Sequence, residues 1–216
     1  RDRADTTPPT PNPMTWATSP YAASSTSISM VATTATDTIS PPVSYYFDFV
    51  NSPTGGTGGS DAGWQSSTSY TNSGLQANHQ YGYQVKARDS ASTPNETSYS
   101  STVYKYTLAN APGVSSFSNV TQTSIRANWT ANGNRSGTEY YCENTTKGTN
   151  SAWTTNTYWD STGLAPATSY TFRVKARNGE LIETGWANLG SQSTQTDTTP
   201  PTPNPMTWAT PPYAVN

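Results

Sequence analysis

The stretch "GLAPATSYTFRVKAR", residues 163–177, decides the fold because apolar and polar side chains alternate along its second half. One set of alternate positions is apolar and the other is polar: Tyr170, Phe172, Val174 and Ala176 against Thr171, Arg173 and Lys175. A period of two indicates an extended strand with one face in a core and the other in water. The sequence therefore predicts a half-buried strand at this place.

A second copy of this pattern lies 89 residues upstream. The stretch "GLQANHQYGYQVKAR" (74–88) repeats the Gly-Leu pair, the Tyr and the Val-Lys-Ala-Arg run at the same spacing. Nearer the N-terminus, "TSISMVATTATD" (26–37) matches "TSIRANWTANGN" (123–134) at an offset of 97, and changes in loop length produce such shifts. One duplicated domain explains all of these matches. About seven short strands per copy, separated by Gly, Asn, Ser and Pro, predict two β-sandwiches.

The composition agrees with an all-β protein and excludes several functions. Charged residues make up only 11% of the chain and aromatic residues 12%, whereas disordered chains are rich in charge and poor in aromatics. The net charge is −2 with no cluster of Lys or Arg, so nucleic acid is not an expected partner. No apolar run approaches the roughly 18–20 residues of a membrane span, so no membrane insertion is expected.

The motif shared by the two copies resembles the corner between two strands of fibronectin type III domains. In that family a Leu, a short spacer and then Tyr-x-aromatic-x-Val-x-Ala-Arg form a tyrosine corner, in which the Tyr hydroxyl bonds to upstream backbone. The resemblance assigns this role to Tyr81 and Tyr170. It also implies that Leu75 and Leu164 are core residues before the two corners.

A strand further upstream carries the same resemblance in one copy only. "IRANWT" (125–130) is similar to the family's strand whose Trp fills the core, so Trp129 is expected to take that place. The first copy has Ala32 there, and the expected sources of the missing volume are Trp16, Met14 and Met30. The opening "DTTPPTP" is similar to fibronectin-type repeats along bacterial secreted and surface proteins, which implies an extracellular or cell-surface location.

A repeat on a larger scale sets the predicted domain boundaries. "DTTPPTPNPMTWAT" occurs at residues 5–18 and again at 197–210, an offset of 192 residues. We therefore expect one sandwich over 5–109, a second over 110–197, and the linker and first strand of a following repeat over 198–216, a near-copy of 6–24. The expected contacts with that next repeat are Met206, Trp208 and Tyr213. Two arrangements stay open, a polypeptide that continues into further repeats and a strand that docks on another molecule.

Groups that could carry catalysis are sparse. No nucleophile or orienting acid accompanies His79, so it is expected to be a solvent-exposed turn residue. Cys142 is expected to be a buried, inert hydrophobe, with an intermolecular disulfide as the alternative. The stretch "NSPTGGTGGSDAGW" (51–64) lacks the Gly-Lys-Ser/Thr ending of a phosphate loop and predicts a flexible loop. We therefore predict no catalytic residue, no cofactor and no enzymatic activity.

Three weaker ligand hypotheses stay open. Asp5, Asp89 and Glu96 could meet near a domain junction and hold Ca²⁺, which prefers oxygen ligands. Exposed aromatic side chains are candidates for stacking on sugar rings: Trp153, Trp159 and Trp186. Asn-x-Ser/Thr triplets are acceptors where a glycosylation machinery exists, and their candidate positions are Asn95, Asn119, Asn128, Asn134 and Asn144.

The 192-residue repeat, the short Pro-containing joints and the lack of catalytic groups favour a structural role. The sequence predicts a repeat unit of an extracellular fibre, filament or surface-protein array, with other copies of itself as head-to-tail partners. The alternative is an adhesin or carbohydrate-binding accessory module of a secreted protein, with surface glycans as partners.

Overall fold

The computed structural model describes residues 4–212 and residue 214, and the regular secondary structure among them is entirely β-strand. The first seven strands are β1 (Trp16–Ser24), β2 (Ser27–Ala32), β3 (Ser44–Asn51), β4 (Gly63–Gln65), β5 (Ser69–Ser73), β6 (Gln80–Arg88) and β7 (Val103–Tyr106). The second seven are β8 (Gly113–Val114), β9 (Ser124–Thr130), β10 (Glu139–Asn144), β11 (Thr149–Thr154), β12 (Tyr158–Thr162), β13 (Ser169–Arg177) and β14 (Ala187–Ser193). Within this described part, the chain has no helix of the length and hydrophobicity that a membrane span requires.

Each set of seven strands forms a three-stranded sheet and a four-stranded sheet. The orders are β1-β2-β5 and β4-β3-β6-β7 in the first set, and β12-β9-β8 and β11-β10-β13-β14 in the second. The two orders are the same when the strands are matched by position, as a duplicated domain requires. Two sheets must pack together because one sheet alone leaves its apolar face in water. The prediction of an all-β chain with two tandem sandwiches is confirmed.

The alternating strands β6 and β13 supply the centre of each core. The inward side chains of β6 are fully buried, namely Tyr81, Tyr83, Val85 and Ala87. On β13 the corresponding set is also buried, namely Tyr170, Phe172, Val174 and Ala176. Each strand lies between its neighbours in the four-stranded sheet, so its outward side chains form the middle of an exposed face.

The two tyrosine corners lie at the ends of these strands, and they differ in one hydrogen bond. The backbone N–H of Gln76 donates to the Tyr81 hydroxyl at 2.9 Å, and that hydroxyl donates to the carbonyl of Thr57 at 2.8 Å. In the second sandwich the backbone N–H of Ala165 donates to the Tyr170 hydroxyl at 2.8 Å. Both hydroxyls thus bind backbone just upstream of their strand. The leucines before the corners, Leu75 and Leu164, are buried.

The extra bond of Tyr81 comes from the Gly-rich loop between β3 and β4, which the sequence predicts to be flexible. This loop packs closely on the corner, because a Cβ atom on Gly56 would lie 2.5 Å from the Tyr81 hydroxyl. A Cβ atom on Gly59 would lie 2.3 Å from the Phe49 ring. These glycines allow the backbone to approach two aromatic rings, and the flexibility of the loop stays a prediction.

The matching core position of β2 and β9 is filled differently in the two sandwiches. Trp129 on β9 is 3% exposed, and its ring centroid lies 6.0 Å from that of Tyr140. Ala32 holds the corresponding place in the first sandwich, and Trp16 pairs with it across the β1–β2 ladder. The half-buried Trp16 ring lies 6.1 Å from the Phe47 ring. Met14 and Met30, each 1% exposed, fill the space that remains.

The predicted first strand of a following repeat is not a strand in this structure. Residues 194–212 and residue 214 carry no strand, although the corresponding segment near the N-terminus forms β1. The reason is the missing neighbour, since β1 is defined by its ladder with β2 and the near-copy has no such partner in this chain. Met206 and Trp208 are each 74% exposed. Tyr213, the third expected contact, lies outside the described residues.

We expect the two tyrosine corners to differ in energy. Tyr81→Phe removes the hydroxyl and with it two hydrogen bonds, so it should cost about 2 kcal/mol of unfolding free energy. Tyr170→Phe removes one hydrogen bond and should cost about 1 kcal/mol. Hydrogen-exchange mass spectrometry across a urea series reads the two sandwiches separately, and Tyr170→Phe is the matched control. Equal losses would show that the Thr57 contact contributes nothing.

We expect the core of the second sandwich to depend on the volume of Trp129. Trp129→Ala should lower the unfolding free energy of that sandwich by roughly 3–5 kcal/mol. Trp129→Phe should cost much less, because the indole Nε1 is buried without a hydrogen-bond partner among the described residues. Exchange of the β9 and β10 amides measures both variants, and a loss below about 1 kcal/mol for Trp129→Ala would contradict this packing.

Candidate functional site

The histidine does not have the environment of a catalytic base. His79, predicted to be exposed, is half-buried just before β6, and its Nδ1 lies 3.3 Å from the Thr54 hydroxyl. Burial, and then the positive charge of Arg135, lower the pKa of His79 below its usual value. The ring is therefore neutral at physiological pH. The predicted exposure is wrong because the loop residues Thr54 and Gly56 pack against the His79 side chain.

The cysteine is inaccessible. Cys142 on β10 is fully buried among the inward side chains of the second sandwich. Burial raises the pKa of its thiol to about 12, which leaves it protonated and unreactive. The alternative of an intermolecular disulfide is thereby excluded for the folded domain, and the expectation of a small buried hydrophobe agrees with its position.

Two of the five candidate glycosylation positions have no room for a glycan in the folded sandwich. Asn144 is fully buried, and its side-chain nitrogen donates to the Ser161 hydroxyl at 3.1 Å. Asn134 is 8% exposed, and its side-chain nitrogen donates to the carbonyl of Asn110 at 2.8 Å. Both candidates are wrong for this reason, since a glycan would replace a buried hydrogen bond.

The other three candidate positions differ in access. The side-chain nitrogen of the half-buried Asn95 donates to Asp89 Oδ2 at 2.7 Å, and that of the half-buried Asn128 donates to the carbonyl of Ser116 at 2.8 Å. Asn119 is exposed in a turn, with a φ of 47°. Asn119 is therefore the position at which a glycan fits best, and its modification stays a prediction.

The tryptophans proposed to stack on sugars are already in contact with other groups. Trp159 lies in the core with its ring centroid 6.3 Å from that of Phe172. On the outer face of the second sandwich, the guanidinium of Arg173 lies 4.2 Å from the Trp186 ring centroid and that of Arg177 lies 4.2 Å from the Trp153 ring centroid. A sugar ring would have to displace these cations.

The outer face of the first sandwich has the same arrangement. Arg88 lies 4.2 Å from the Trp64 ring centroid, and the Lys86 ammonium lies between 5.1 and 5.7 Å from three ring centroids: those of Tyr46, Trp64 and Tyr99. Each such contact contributes about 0.5–1 kcal/mol at an exposed site. These cation–aromatic contacts stabilise both faces, and they indicate a structural use of aromatic residues.

Acidic side chains meet where the chain enters the first sandwich, though not all those predicted. One carboxylate oxygen from each of Asp5, Asp37 and Asp89 lies within 4.8 Å of the other two. Glu96 is not a member, because its carboxylate lies 2.5 Å from Lys86 Nζ on the outer face of β6. The predicted set of Asp5, Asp89 and Glu96 is therefore wrong in its third residue.

The joint between the two sandwiches is built from buried side-chain amides. Asn78 is 2% exposed, and its nitrogen donates to the Thr138 hydroxyl of the second sandwich at 2.7 Å. Its oxygen accepts the backbone N–H of Gly179, also from the second sandwich, at 2.8 Å. In the opposite direction, the nitrogen of Asn178 donates to the carbonyl of Thr107 at 3.1 Å. Buried polar groups that are fully paired specify a single geometry.

Close packing and charge add to the joint. A Cβ atom on Gly179 would lie 2.4 Å from the Tyr106 ring, so the second sandwich touches the end of β7 directly. Lys105 Nζ lies 2.8 Å from a carboxylate oxygen of Glu180, close enough for attraction but outside hydrogen-bond geometry. None of these residues is apparent from composition, but Asn78 and Asn178 precede and follow the recognisable β6 and β13 motifs.

The geometry defines a protein of two immunoglobulin-like sandwiches with a paired joint and no assembled catalytic site in the described residues. Residues 110–188 match the family model described as "Fibronectin type III domain", and this second sandwich belongs to that family. The predicted resemblance is confirmed, by family model for the second sandwich and by fold for the pair.

Two known proteins are similar to the chain over most of its length. The solved structure of a two-domain fibronectin type-III segment from chicken tenascin matches 87% of this chain, and the match takes in 100% of that segment. The TM-score is 0.53 and the sequence identity is 19%. That similarity concerns the fold alone. Exoglucanase B of Cellulomonas fimi is 31% identical over 156 residues, which take in 68% of this chain. The chain spans only 14% of the length of that exoglucanase.

We expect the joint to loosen when the Asn78 amide is removed. Asn78 has a φ of 55°, so Asn78→Gly keeps the backbone conformation and deletes both bonds to the second sandwich. The two sandwiches should then tumble with different correlation times in ¹⁵N relaxation, whereas they share one in the parent chain. Asn119→Gly, at an exposed turn with a φ of 47°, is the matched control. A single shared correlation time in Asn78→Gly would contradict the role of the amide.

Proposed function

We propose that the chain is a non-catalytic structural unit of an extracellular repeat protein, in which copies of the unit follow one another head to tail. The observation that supports this most is the identity of residues 197–210 with residues 5–18, because the first copy makes specific contacts with a sandwich that follows it. A segment with the same sequence presents the same contact groups.

The contacts that residues 5–18 make indicate which contacts the identical residues 197–210 can make. Thr10 and Thr36 exchange two backbone hydrogen bonds, each of 2.9 Å. The N–H of Met14 donates to the carbonyl of Ser98 at 3.1 Å, and the N–H of Ser98 donates to the side-chain oxygen of Asn12 at 2.8 Å. All of these partners belong to the sandwich downstream of the segment. The copy would make the same bonds with a downstream sandwich of the same type.

The second copy already has the local shape of the first. The N–H of Thr199 donates to Asp197 Oδ1 at 2.8 Å, as the N–H of Thr7 donates to Asp5 Oδ1 at 3.0 Å. Local order of this kind lowers the entropy that docking must offset. The exposed Trp208 side chain then has the same destination as Trp16, against the first sheet of the next unit.

The paired joint supports a role in transmitting force or in spacing. Two sandwiches held by buried amides move as one body, and Pro-containing segments between units limit hinge motion. The longest strands have 9 residues. At ~3.3 Å per residue each sandwich spans roughly 30 Å, so two in line give an axial repeat on the order of 60 Å. The extracellular or cell-surface location is part of this proposal, as is the absence of nucleic acid among its partners.

The similarity to Exoglucanase B favours one alternative, an accessory segment of an enzyme that degrades a polysaccharide. In that case this chain holds a catalytic domain at a distance from its substrate or binds the polymer itself. The cations over Trp153 and Trp186 favour spacing over binding. A glycan array with the whole chain decides between them, since saturable binding by the monomer supports a carbohydrate-binding module and its absence supports a spacer or fibre unit.

The head-to-tail proposal makes a direct prediction for Trp208. The test protein is a two-unit chain in which residues 1–196 are followed by residues 5–216. Its internal copy of the segment contains a Trp that should be buried like Trp16, whereas Trp208 at the C-terminal end is 74% exposed. Fluorine NMR of 5-fluorotryptophan-labelled protein, assigned with Trp208→Phe, measures this. An internal Trp that stays exposed would contradict the proposal. A concentration-dependent shift of Trp208 in the single-unit chain would instead support exchange of the segment between molecules.

A further inference from the structure

The internal joint, between the two sandwiches of this chain, is a very short stretch of backbone. The N–H of Leu108 donates to the carbonyl of Ser24 at 3.2 Å, so Leu108 is still held by the first sandwich. Two residues further on, the carbonyl of Asn110 accepts the side-chain nitrogen of Asn134 at 2.8 Å, so Asn110 is already held by the second. Only Ala109 lies between these two positions.

The external joint, between this unit and a following one, would have the same length. Gln195 is still held by the second sandwich, because its N–H donates to the carbonyl of Thr121 at 2.9 Å. Two residues further on is Asp197, the copy of Asp5, and the first sandwich holds the Asp5 carbonyl through the side-chain nitrogen of Asn95 at 3.3 Å. One residue thus lies between the sandwiches in either joint, and the prolines of the copy come after it.

The strand registers show which residues of the two joints correspond. In each sandwich the corner tyrosine pairs with a residue of the last strand, Lys105 in the first and Gln192 in the second. The last residue of β6 or β13 pairs with the first residue of β3 or β10, which is Ser44 or Glu139. These pairs fix the correspondence at both ends of a unit, so the contacts of the internal joint can be compared one by one with those of the external joint.

The ion pair of the internal joint is lost at the external one. Lys105 Nζ lies 2.8 Å from the Glu180 carboxylate across the internal joint. Gln192 takes the place of Lys105, and Ala91 takes that of Glu180. A neutral amide and a methyl group cannot form an ion pair, so no charge attraction holds these positions together.

The buried amide of the internal joint is lost as well. Ala167 takes the place of Asn78, and their φ angles of 51° and 55° show that the backbone turn is the same. The side chain that could reach across the joint is therefore reduced to a methyl group. Val43 takes the place of Thr138, so the hydroxyl that accepts the Asn78 nitrogen is missing too.

The donors that hold the internal joint from the second sandwich also have no free counterpart in the first. The N–H of Ser90, at the place of Gly179, already donates to the carbonyl of Ser40 at 2.8 Å. Asp89, at the place of Asn178, has no side-chain N–H to donate to the sandwich before it. The first sandwich thus presents to a preceding unit none of the polar partners that the second presents to the first.

We propose that an array of these units bends at the external joints and not within a unit, an inference that rests on the proposed head-to-tail function. The two joints have the same chain length, so they differ in the side chains that face each other. Buried, paired amides specify one orientation in the internal joint. Relative motion is the default for neighbouring domains without a large interface, and the external joint lacks the contacts that would prevent it. The array is then a series of two-sandwich rods connected by hinges.

Pulsed electron paramagnetic resonance on the two-unit chain compares the two joints directly. Spin labels at Ser73→Cys and Thr162→Cys mark exposed, equivalent positions of β5 and β12, and the fully buried Cys142 takes no label. One pair of labels lies within the first unit, and the other connects position 162 of the first unit with position 73 of the second. We expect the distance distribution across the external joint to be at least twice as wide as that across the internal joint.

A variant that gives the internal joint the side chains of the external one provides the second test. Asn78→Ala, Lys105→Gln and Glu180→Ala together introduce the residue types found at positions 167, 192 and 91. We expect the distribution across the internal joint to widen to that of the external joint. Asn119→Ala, at an exposed turn with a φ of 47°, is the matched control and should leave both widths unchanged.

The outcomes separate this inference from the proposed function. Equal widths across the two joints, with the Trp of the internal copy buried in fluorine NMR, would overturn the hinge and leave the head-to-tail proposal standing. An internal Trp that is exposed would remove both, because a wide distribution would then come from an undocked segment. An unchanged internal width in the triple variant would also overturn the inference, since these side chains would then not hold the internal joint.

Discussion

Each sandwich must satisfy the polar backbone of the segment that enters it, and most of the distinctive features of this chain follow from that constraint. The entering segment lies against loops at the end of the sandwich, where part of its backbone is shielded from water. Unpaired backbone groups there would cost about 1–3 kcal/mol each. The second sandwich meets the requirement with the amides of Asn134 and Asn178, and in the first the side-chain nitrogen of Asn95 donates to the carbonyl of Asp5 at 3.3 Å.

The same constraint connects the joint with the repeated sequence. Asn78 and Asn178 pair in both directions between the sandwiches, so the contacts that hold the entry into the second sandwich come from within the chain. Entry into the first sandwich depends on residues 5–18, and the identical 197–210 offers that mode of entry to another sandwich. An internal joint made by amides thus stands beside the external joint that we propose for the fourteen-residue segment.

The sequence predicted the fold well because the deciding signals are local. Alternation in "YTFRVKAR" and "YGYQVKAR" identified β6 and β13, and the Tyr hydroxyls bind backbone only five residues away, at Gln76 and Ala165. The C-terminal copy forms no strand within this chain, since a strand forms only with a neighbour, and its role as the first strand of a following repeat stays a prediction. The close packing of the Gly-rich loop does not follow from its composition, because it depends on Phe49 and Tyr81, which lie outside the loop. The joint and the third carboxylate, Asp37, depend on contacts between distant segments, which no local pattern encodes.

The most direct test of the account is the mass of the full-length polypeptide and of its fragments after limited proteolysis, with protein purified from the cells that make it. If residues 197–210 are the entry segment of a further unit, mild digestion should cut in the exposed residues just before each such segment and leave a ladder whose steps equal one 192-residue unit. Internal joints protected by Asn78 and Asn178 should stay uncut. Fragments that separate the two sandwiches as readily as the units, or a polypeptide with a single unit, would contradict the account.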